Sequence, residues 1–350
     1  MFRDTPRARH RFPAMFPAAR RTGSHAPVER CSASCEDLPP LELRTLRELR
    51  LGEPSAEGRP AHLSAGSGIV RRGDFVYVIG DDELFLAVFQ LSDADEPGTL
   101  QRALAGDLPL DHGARSDAKP DLEALTVLPP FGGHPYGALF GLGSGSAPGR
   151  DRGFVWALEA DGSLRGEARE VDLAPLYERL AGHLDALNIE GASVIGERLW
   201  LLQRGGGEGD AAGIVAELEL DQVMDSLQRD LRIDPDELAA LRAYDLGTLD
   251  GVPLTFSDAT PVAQELLVFT ASAEAEDHGI RGSVVGTLGR GGDVQRLRTI
   301  DRRYKVEGVH ATIDTGVMDF LFVCDQDDPD TPSPLLSAAM PVDAALERAG

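Results

Sequence analysis

The segment Asn188-Ile-Glu-Gly-Ala-Ser-Val194 recurs in outline twice more in this chain, as Asp121-Leu-Glu-Ala-Leu-Thr-Val127 and Lys305-Val-Glu-Gly-Val-His-Ala311. The shared kernel is an apolar residue, a glutamate, and then small or apolar residues. Two further segments, Gly66-Ser-Gly-Ile-Val70 and Thr255-Phe-Ser-Asp-Ala259, place a serine where the others have the glutamate. A unit that recurs five times in one chain indicates a repeat architecture.

The five kernel positions are Ser67, Glu123, Glu190, Ser257 and Glu307, separated by 56, 67, 67 and 50 residues. After each kernel come a turn, a strongly apolar strand, a third strand and a more polar fourth one. Four short strands in a unit of about 40–50 residues are typical of a propeller blade, and longer intervals fit blades with inserted loops. We therefore predict an all-β fold, a five-bladed β-propeller of four-stranded blades.

The two ends of the repeat array predict how the ring closes. The last unit has only three recognisable strands after Tyr304, and one unassigned strand pattern, residues 41–51, precedes the first unit. We expect this N-terminal strand to become the outer strand of the last blade, because a closed ring has no free sheet edge. The propeller domain then spans residues 41–342.

Two insertions interrupt the strand pattern with helical periodicity. Residues 173–187 carry an apolar stripe at helical spacing, and residues 221–243 do so as well. In the second segment Asp234-Pro-Asp-Glu237 has the form of a helix cap with proline at the first helical position. We predict short helices that decorate the loops in both places.

Charge is distributed unevenly along the chain. The formal charge is −24, yet residues 1–40 hold seven arginines against four acidic residues. We interpret residues 1–40 as a disordered or non-native extension and residues 343–350 as a C-terminal tail. The acidic body argues against nucleic acid or an anionic membrane surface as a partner.

Targeting and redox signals are weak in this sequence. No apolar run is long enough for a secretory signal or a membrane span, and three cysteines give no disulfide framework or zinc set. The expected protein is soluble and cytoplasmic, and its oligomeric state stays open.

The kernel residues lie on the first strand of each blade, which is nearest the propeller axis. Ser67, Glu123, Glu190, Ser257 and Glu307 should therefore surround the central channel. Three crowded glutamates destabilise a fold unless a cation or basic groups neutralise them. Oxygen ligands without cysteine or histidine suit calcium, so we expect a Ca²⁺ site; the alternative is that these groups bond only to water and to nearby amides.

The chain resembles the calcium-activated nucleotidases, the apyrase family, from about residue 64 to residue 313. The channel residues of that family follow the same order, Ser, Glu, Glu, Ser, Glu. Lys305-Val-Glu-Gly-Val309 is close to the family's last-blade motif, and Asp81-Asp82 matches an acidic pair at the end of a strand. The resemblance implies a five-bladed propeller with calcium in the channel. The kernels are also similar to those of bacterial phytase-like propellers.

Two positions depart from the apyrase pattern. The family has lysine and glutamate after a Gly-Leu-Gly, whereas this chain has Gly141-Leu-Gly-Ser-Gly-Ser146. The family also has a lysine where this chain has Ala271, although Arg204 persists. Fewer basic residues weaken the expectation of a nucleotide substrate. The resemblance therefore supports a shared fold and a shared metal site more strongly than a shared activity.

Three classes of function stay open on the sequence, and one of them is hydrolysis or lactone opening at a channel metal with open coordination positions. In a metal-dependent hydrolase of a nucleotide or another phosphorylated metabolite, Asp81, Asp82 and Asp325 would position or deprotonate water, and Arg204 would neutralise phosphate. In a non-catalytic propeller the cation would be structural, and the face above it would bind a protein or a small ligand. Whether the protein is an enzyme is thus left open.

Overall fold

The fold follows from a computed structural model that describes residues 29–32, 35, 38–184, 186–205, 213–275 and 280–342. Two short strands, β1 (Glu29–Ser32) and β2 (Arg44–Glu48), come first in the chain. Apart from one small hairpin, the remaining strands belong to five antiparallel sheets that surround one axis. The prediction of a five-bladed, all-β propeller is confirmed.

Each of the first four blades is a run of four strands that are consecutive in the sequence, apart from one small hairpin between blades 3 and 4. Blade 1 contains β3 (Gly66–Arg72), β4 (Phe75–Gly80), β5 (Phe85–Gln90) and β6 (Thr99–Arg102). Blade 2 contains β7 (Leu122–Leu128), β8 (Ala138–Gly143), β9 (Arg152–Ala157) and β10 (Arg169–Asp172).

Blade 3 contains β11 (Ile189–Ile195), β12 (Arg198–Gln203), β13 (Gly213–Glu219) and β14 (Leu238–Asp245). The small hairpin consists of β15 (Thr248–Leu249) and β16 (Val252–Pro253). Blade 4 contains β17 (Thr255–Ala263), β18 (Leu266–Glu274), β19 (Ile280–Gly289) and β20 (Val294–Thr299).

Blade 5 is built from both ends of the propeller, as the sequence predicts. It contains β21 (Val306–Asp314), β22 (Val317–Cys324) and β23 (Pro334–Pro341), and β2 pairs with β23 as the outer strand. Leu49, just after β2, is fully buried, and its amide donates to the Ser333 carbonyl at 2.9 Å. The closing segment therefore adds both hydrogen bonds and apolar core to the blade.

The innermost strands form the ring itself, because β3, β7, β11, β17 and β21 each contact the next and β21 contacts β3. Between neighbouring blades lie five apolar clusters, one for each interface around the ring. The strands of each blade are therefore apolar on both faces, which explains their long buried runs. The stability of this fold rests mainly on these interfaces.

The helices differ in part from their prediction. Helix α1 (His112–Ala118) is capped by Asp111 and has no apolar stripe that would reveal it in the sequence; α2 is Ala174–Ala181 and α3 is Leu220–Arg229. The prediction of a helix is wrong for the second half of residues 221–243. There Pro235–Glu237 form one 3₁₀ turn, and β14 follows. Pairing with β13 supplies the fourth strand of blade 3 and overrides the helical preference of its Ala and Leu residues.

The ends of the chain add one further strand. Within the predicted extension, β1 pairs in parallel with β14 at the outer edge of blade 3. Residues 1–28 and the predicted tail, 343–350, lie outside the described residues. No helix in the described part of the chain is long and apolar enough to cross a membrane.

The closing segment gives the first testable prediction. Leu49→Ala should lower the free energy of unfolding by about 2–5 kcal/mol, because it opens a cavity between blades 5 and 1. Leu46→Ala, whose side chain is 45% exposed in the same segment, should change it by less than about 0.5 kcal/mol. Urea unfolding measures both, and equal effects would show that residues 41–51 do not close the ring.

Candidate functional site

The five kernel residues are structurally equivalent, because each is the extra residue of a β-bulge in its innermost strand. In the pairing of β7 with β8, for example, Leu122 lies opposite Gly143 and Ala124 opposite Leu142, so Glu123 has no partner residue. The same shift occurs at the four other kernel positions, Ser67, Glu190, Ser257 and Glu307. A bulge re-aims the side chain it carries, so one polar residue per blade leaves the regular ladder at the same height.

Register identifies a second set of five equivalent residues, which directly follow the second strand in four blades and lie within it in blade 4. In each blade one residue of the second strand faces the residue just before the bulge; these are Gly80, Gly143, Gln203, Ala271 and Cys324. The residues that follow them in the sequence are therefore equivalent from blade to blade. These are Asp81, Ser144, Arg204, Ser272 and Asp325. Three of the four residues predicted to be catalytic belong to this second set.

A cavity of about 320 Å³ opens at this end of the channel. Four of the five bulge residues line it, all except Ser257, and so do Asp81, Arg204 and Asp325. The structure thus brings together seven of the nine residues singled out in the sequence. The other lining residues are Ala65, Lys119, Asp121, Ser146, Arg150, Asn188, Glu274 and Lys305.

Two predicted site residues lie away from the cavity. Asp82 faces the loop and helix beside blade 1, where its Oδ2 accepts from Arg59 at 2.9 Å and from Arg115 at 3.1 Å. Ser257 is buried, and its hydroxyl donates to the Ser272 hydroxyl at 3.2 Å. Asp82 therefore anchors the segment that follows Asp81, and Ser257 bonds within its own blade.

Three acidic side chains lie close enough together to hold one metal ion. Asp81, Asp121 and Glu123 each offer a carboxylate oxygen, and these three oxygens lie within 4.8 Å of one another. Among the described residues, no group of three carboxylates this close is formed by the bulge glutamates alone. This candidate metal-ligand set shares only Glu123 with the predicted ring.

The Lys119 ammonium lies against two of these three carboxylates. It contacts Asp81 Oδ2 and lies 2.7 Å from Asp121 Oδ1. Asp81 Oδ1 is buried without a hydrogen bond to a described residue. This carboxylate therefore keeps acceptor capacity beside the ammonium.

A second basic residue, Arg204, links two carboxylates at the end of blades 3 and 4. Its Nη1 donates to Glu190 Oε1 at 3.3 Å and its Nη2 to Glu274 Oε2 at 3.0 Å. The Asn188 amide also donates to Glu190 Oε1. The Glu190 carboxylate raises the pKa of Arg204 above its ordinary value, so this guanidinium is fixed as a cation.

In blade 5 the basic residue that contacts the carboxylates is Lys305. Its ammonium lies 3.4 Å from Glu307, 3.0 Å from Asp325 and 3.2 Å from Asp327. Burial favours the neutral form of Asp325, but Lys305 holds the pKa of this carboxyl below its ordinary value. A charged carboxylate and a charged ammonium therefore lie side by side at this part of the mouth.

Asp121 is the most heavily bonded acid in the cavity. Arg150 Nη1 lies 2.8 Å from its Oδ2, and the hydroxyls of Ser144 and Ser146 donate to the same atom. Burial opposes ionisation, yet Lys119 and these donors keep the pKa of Asp121 below its ordinary value. The Gly141–Ser146 stretch thus positions a carboxylate in this structure.

Positive charge in the cavity does not balance the negative charge. Its lining includes seven carboxylates and four basic side chains, a difference of three charges when all are ionised. Burial, reinforced by Glu190 and Asp81, raises the pKa of Glu123 well above its ordinary range. Burial also raises the pKa of Asp81 to about 6 and that of Glu190 to about 8, against the opposing effects of Lys119 and Arg204.

Sequence reasoning assigned no role to Lys119, Asp121, Glu274, Lys305 or Arg150. Two of them carried a readable signal, since Asp121 and Lys305 precede a kernel glutamate by two residues and a strand repeats its facing every two residues. Lys119 lies in the loop before β7, and Glu274 ends a strand of the neighbouring blade. Only the assembled ring brings those groups together.

Glu190 generates a pH prediction for protein kept in EDTA. The folded protein holds this proton to about pH 8, whereas the unfolded chain loses it near pH 4.5, so its contribution to stability declines as pH rises between those values. Glu190→Gln cannot titrate. Its free energy of unfolding relative to wild type should therefore increase by about 1–3 kcal/mol from pH 5 to pH 8.

Urea unfolding at four pH values measures this difference. Glu265→Gln, an exposed glutamate outside the cavity, is the matched control and should give a difference that does not vary with pH. A pH-independent difference for Glu190→Gln as well would mean that Glu190 is ionised throughout this range.

Solved structures that resemble this chain share its general fold at low identity. Exo-β-1,3-galactanase from Phanerochaete chrysosporium is 10% identical, with a TM-score of 0.45, over 87% of this chain and 65% of that one. A glycosyl hydrolase from Bacteroides ovatus is 8% identical, with a TM-score of 0.39, over 81% and 88%. The luciferin-regenerating enzyme is 9% identical, with a TM-score of 0.38, over 79% and 91%.

At these values the similarities do not transfer any activity to this protein, and they do not confirm the resemblance to the calcium-activated nucleotidases. A comparison with curated proteins found no match. One sequence family does match, over residues 62–340, a range that includes all five bulges and every strand from β3 to β23 except the last residue, Pro341. The chain therefore belongs to the family of unknown function DUF6929.

Proposed function

We propose that this protein is a divalent-cation-dependent hydrolase of a small phosphorylated compound, with calcium as the cation and the channel cavity as the active site. The observation that carries the proposal is the trio Asp81, Asp121 and Glu123 in one cavity with Arg150, Arg204 and Lys305. Carboxylates suit a hard cation, and arginine and lysine suit phosphate oxygens.

The trio fits the dimensions of a calcium site. Calcium binds oxygen at about 2.3–2.6 Å, so ligand oxygens on opposite sides of the ion are about 5 Å apart. Oxygens within 4.8 Å of one another can therefore reach one ion with little movement. Asp81 Oδ1, which lacks a hydrogen bond to a described residue, is a free acceptor that such a cation would satisfy.

Lys119 is the competitor for this position. Its ammonium neutralises Asp81 and Asp121, and a cation that binds both must displace it. Because two positive charges then replace one, the excess negative charge of the cavity falls. A freed Lys119, still tethered at the rim of the cavity, adds a positive group beside the cation.

The remaining residues are arranged for an anionic substrate. When bound, the cation would supply positive charge that polarises a phosphoryl oxygen and acidifies a bound water. Arg204, which already spans Glu190 and Glu274, presents a planar fork suited to phosphate oxygens. Of the acids predicted to be catalytic, Asp325 is the one that lines the cavity outside the trio, and it would orient or deprotonate water.

A second candidate, a non-catalytic binding propeller with a structural cation, is favoured by one specific observation. All four basic residues of the cavity are already in contact with carboxylates. A phosphate would have to compete with these contacts, whereas a ligand with both positive and negative groups would exchange with them.

Calcium binding has a direct readout in thermal stability. Millimolar CaCl₂ should raise the melting temperature of EDTA-treated protein, since a ligand that binds only the folded state stabilises it by about 2.7 kcal/mol at one hundred times its Kd. Glu123→Gln should lose most of the shift, and Glu265→Gln should keep it. Lys119→Met should increase the shift, because its ammonium no longer competes; a wild-type melting temperature unmoved by calcium would contradict the site.

Phosphate release separates the two functional candidates. With CaCl₂ present, the wild-type protein should release phosphate from at least one compound in a panel of nucleotides, sugar phosphates and phytate, and EDTA should abolish the release. Arg204→Gln should lower the rate by at least about tenfold if it binds phosphate, because charge-assisted hydrogen bonds are the strong ones. Calcium binding without any phosphate release would support the non-catalytic propeller.

A further inference from the structure

A second cavity lies between blades 4 and 5, on the side of the ring away from the channel. It encloses about 250 Å³ and is lined mainly by apolar side chains of β18, β19, β22 and β23, among them Val268, Val285, Met318, Phe320 and Met340. Leu38, at the start of the closing segment, lies at its outer side. The wedge between these two blades is thus left partly unfilled.

Strand register places three polar residues on this wall: Thr287, Arg298, and Arg296, which faces Thr287 across the β19–β20 pair. Val285 faces Arg298 across the β19–β20 pair, and Thr287 lies two residues further along β19, on the same side of the sheet as Val285. A threonine and an arginine on a diagonal of one sheet face have Cα atoms about 7–8 Å apart, within reach of a long side chain. Both residues line the cavity.

Thr287 has an unusual environment for a hydroxyl. Its side chain is 1% exposed, and its Oγ1 has no hydrogen-bond partner in the described part of the chain. A buried hydroxyl without a partner costs free energy, so a group that accepts its hydrogen bond is favoured in the cavity. The hydroxyl is therefore an unpaired donor in the wall of this cavity.

Arg298 is held in place and keeps donor capacity. Its Nε donates to the Pro39 carbonyl at 2.9 Å, and its other two nitrogens have no acceptor among the described residues. This backbone bond joins the closing segment to blade 4 and fixes the guanidinium at the edge of the cavity. A positive group with unused donors is notable in a chain whose formal charge is −24.

The cavity continues into an open groove of about 610 Å³, with which it shares Arg298, Phe320, Met340 and Pro341. Arg44 and Arg71 line the groove, and neither forms an ion pair with a described residue, while Glu42 and Asp319 are its acidic residues. Anions can therefore approach the cavity through a groove that carries more positive than negative side chains.

We propose that this interblade cavity binds a short amphipathic carboxylate. Its apolar chain lies between Val285, Met318 and Phe320, and its carboxylate accepts hydrogen bonds from Arg298 and Thr287. A short chain fits, because the volume of about 250 Å³ lies below the roughly 300–1,000 Å³ that is typical of pockets for drug-sized ligands. This site is separate from the channel cavity and does not depend on the function proposed for it.

Octanoate is the probe, and all titrations are run in EDTA so that the channel site does not contribute. Octanoate should bind in calorimetry and raise the melting temperature. Octanol, which lacks the charge, and acetate, which lacks the chain, should each bind at least about tenfold more weakly. Equal affinity for octanol, equal affinity for acetate, or no octanoate binding would overturn the proposal.

Variants locate the site. Arg298→Gln should weaken octanoate binding at least about tenfold while octanol binding stays unchanged, and Thr287→Val should weaken octanoate binding by a smaller factor. Arg302→Gln is the matched control, because it removes an exposed arginine that is paired with Asp250 and does not line the cavity. If Arg298→Gln and Arg302→Gln both bind octanoate as wild type does, the carboxylate does not lie at Arg298 and the proposal fails.

Discussion

One backbone constraint determines the chemistry of this propeller, namely the β-bulge at the same height in all five innermost strands. Each bulge releases one side chain from the ladder, and in three blades that side chain is a glutamate. Carboxylates from separate sheets are thereby forced toward one axis, where burial makes their ionisation costly. The surrounding basic residues follow from this constraint, because an acidic ring of this kind needs counter-charges.

The counter-charges are supplied locally, one for each acidic cluster. Lys119 serves Asp81 and Asp121, Arg204 serves Glu190 and Glu274, and Lys305 serves Glu307 and Asp325. The arrangement keeps several ionised groups in a small volume and still leaves more carboxylates than cations. That excess of carboxylates over basic groups is the physical reason to expect a divalent cation, and the position with the closest carboxylates is where we place it.

The sequence contained enough information for the architecture and for part of the site. The five kernels predict both the blade number and the bulge residues, because a repeat leaves a periodic trace that one chain suffices to reveal. Residues 238–245 were misjudged because Ala, Leu and Arg favour a helix, whereas pairing with β13 decides their structure. Local preference is a weak guide where a blade requires an edge strand.

The site itself was predictable only where it follows strand periodicity. Asp81, Arg204 and Asp325 were found because each follows an apolar strand. Asp82 was wrongly grouped with Asp81, since adjacent residues point to opposite sides. Arg59 and Arg115 bind the Asp82 carboxylate outside the cavity. The metal-ligand trio joins blade 1 to blade 2, so it depends on how neighbouring sheets are placed around the axis. Spacing along the chain does not contain that information.

The central claim is that the channel binds a divalent cation at Asp81, Asp121 and Glu123. Anomalous diffraction from crystals grown with calcium tests it most directly. We predict a single strong peak within about 2.3–2.6 Å of an oxygen of each of the three carboxylates, with Lys119 displaced from Asp81. A map at the same calcium concentration with no peak there, and with Lys119 still in contact with Asp81 and Asp121, would contradict the account.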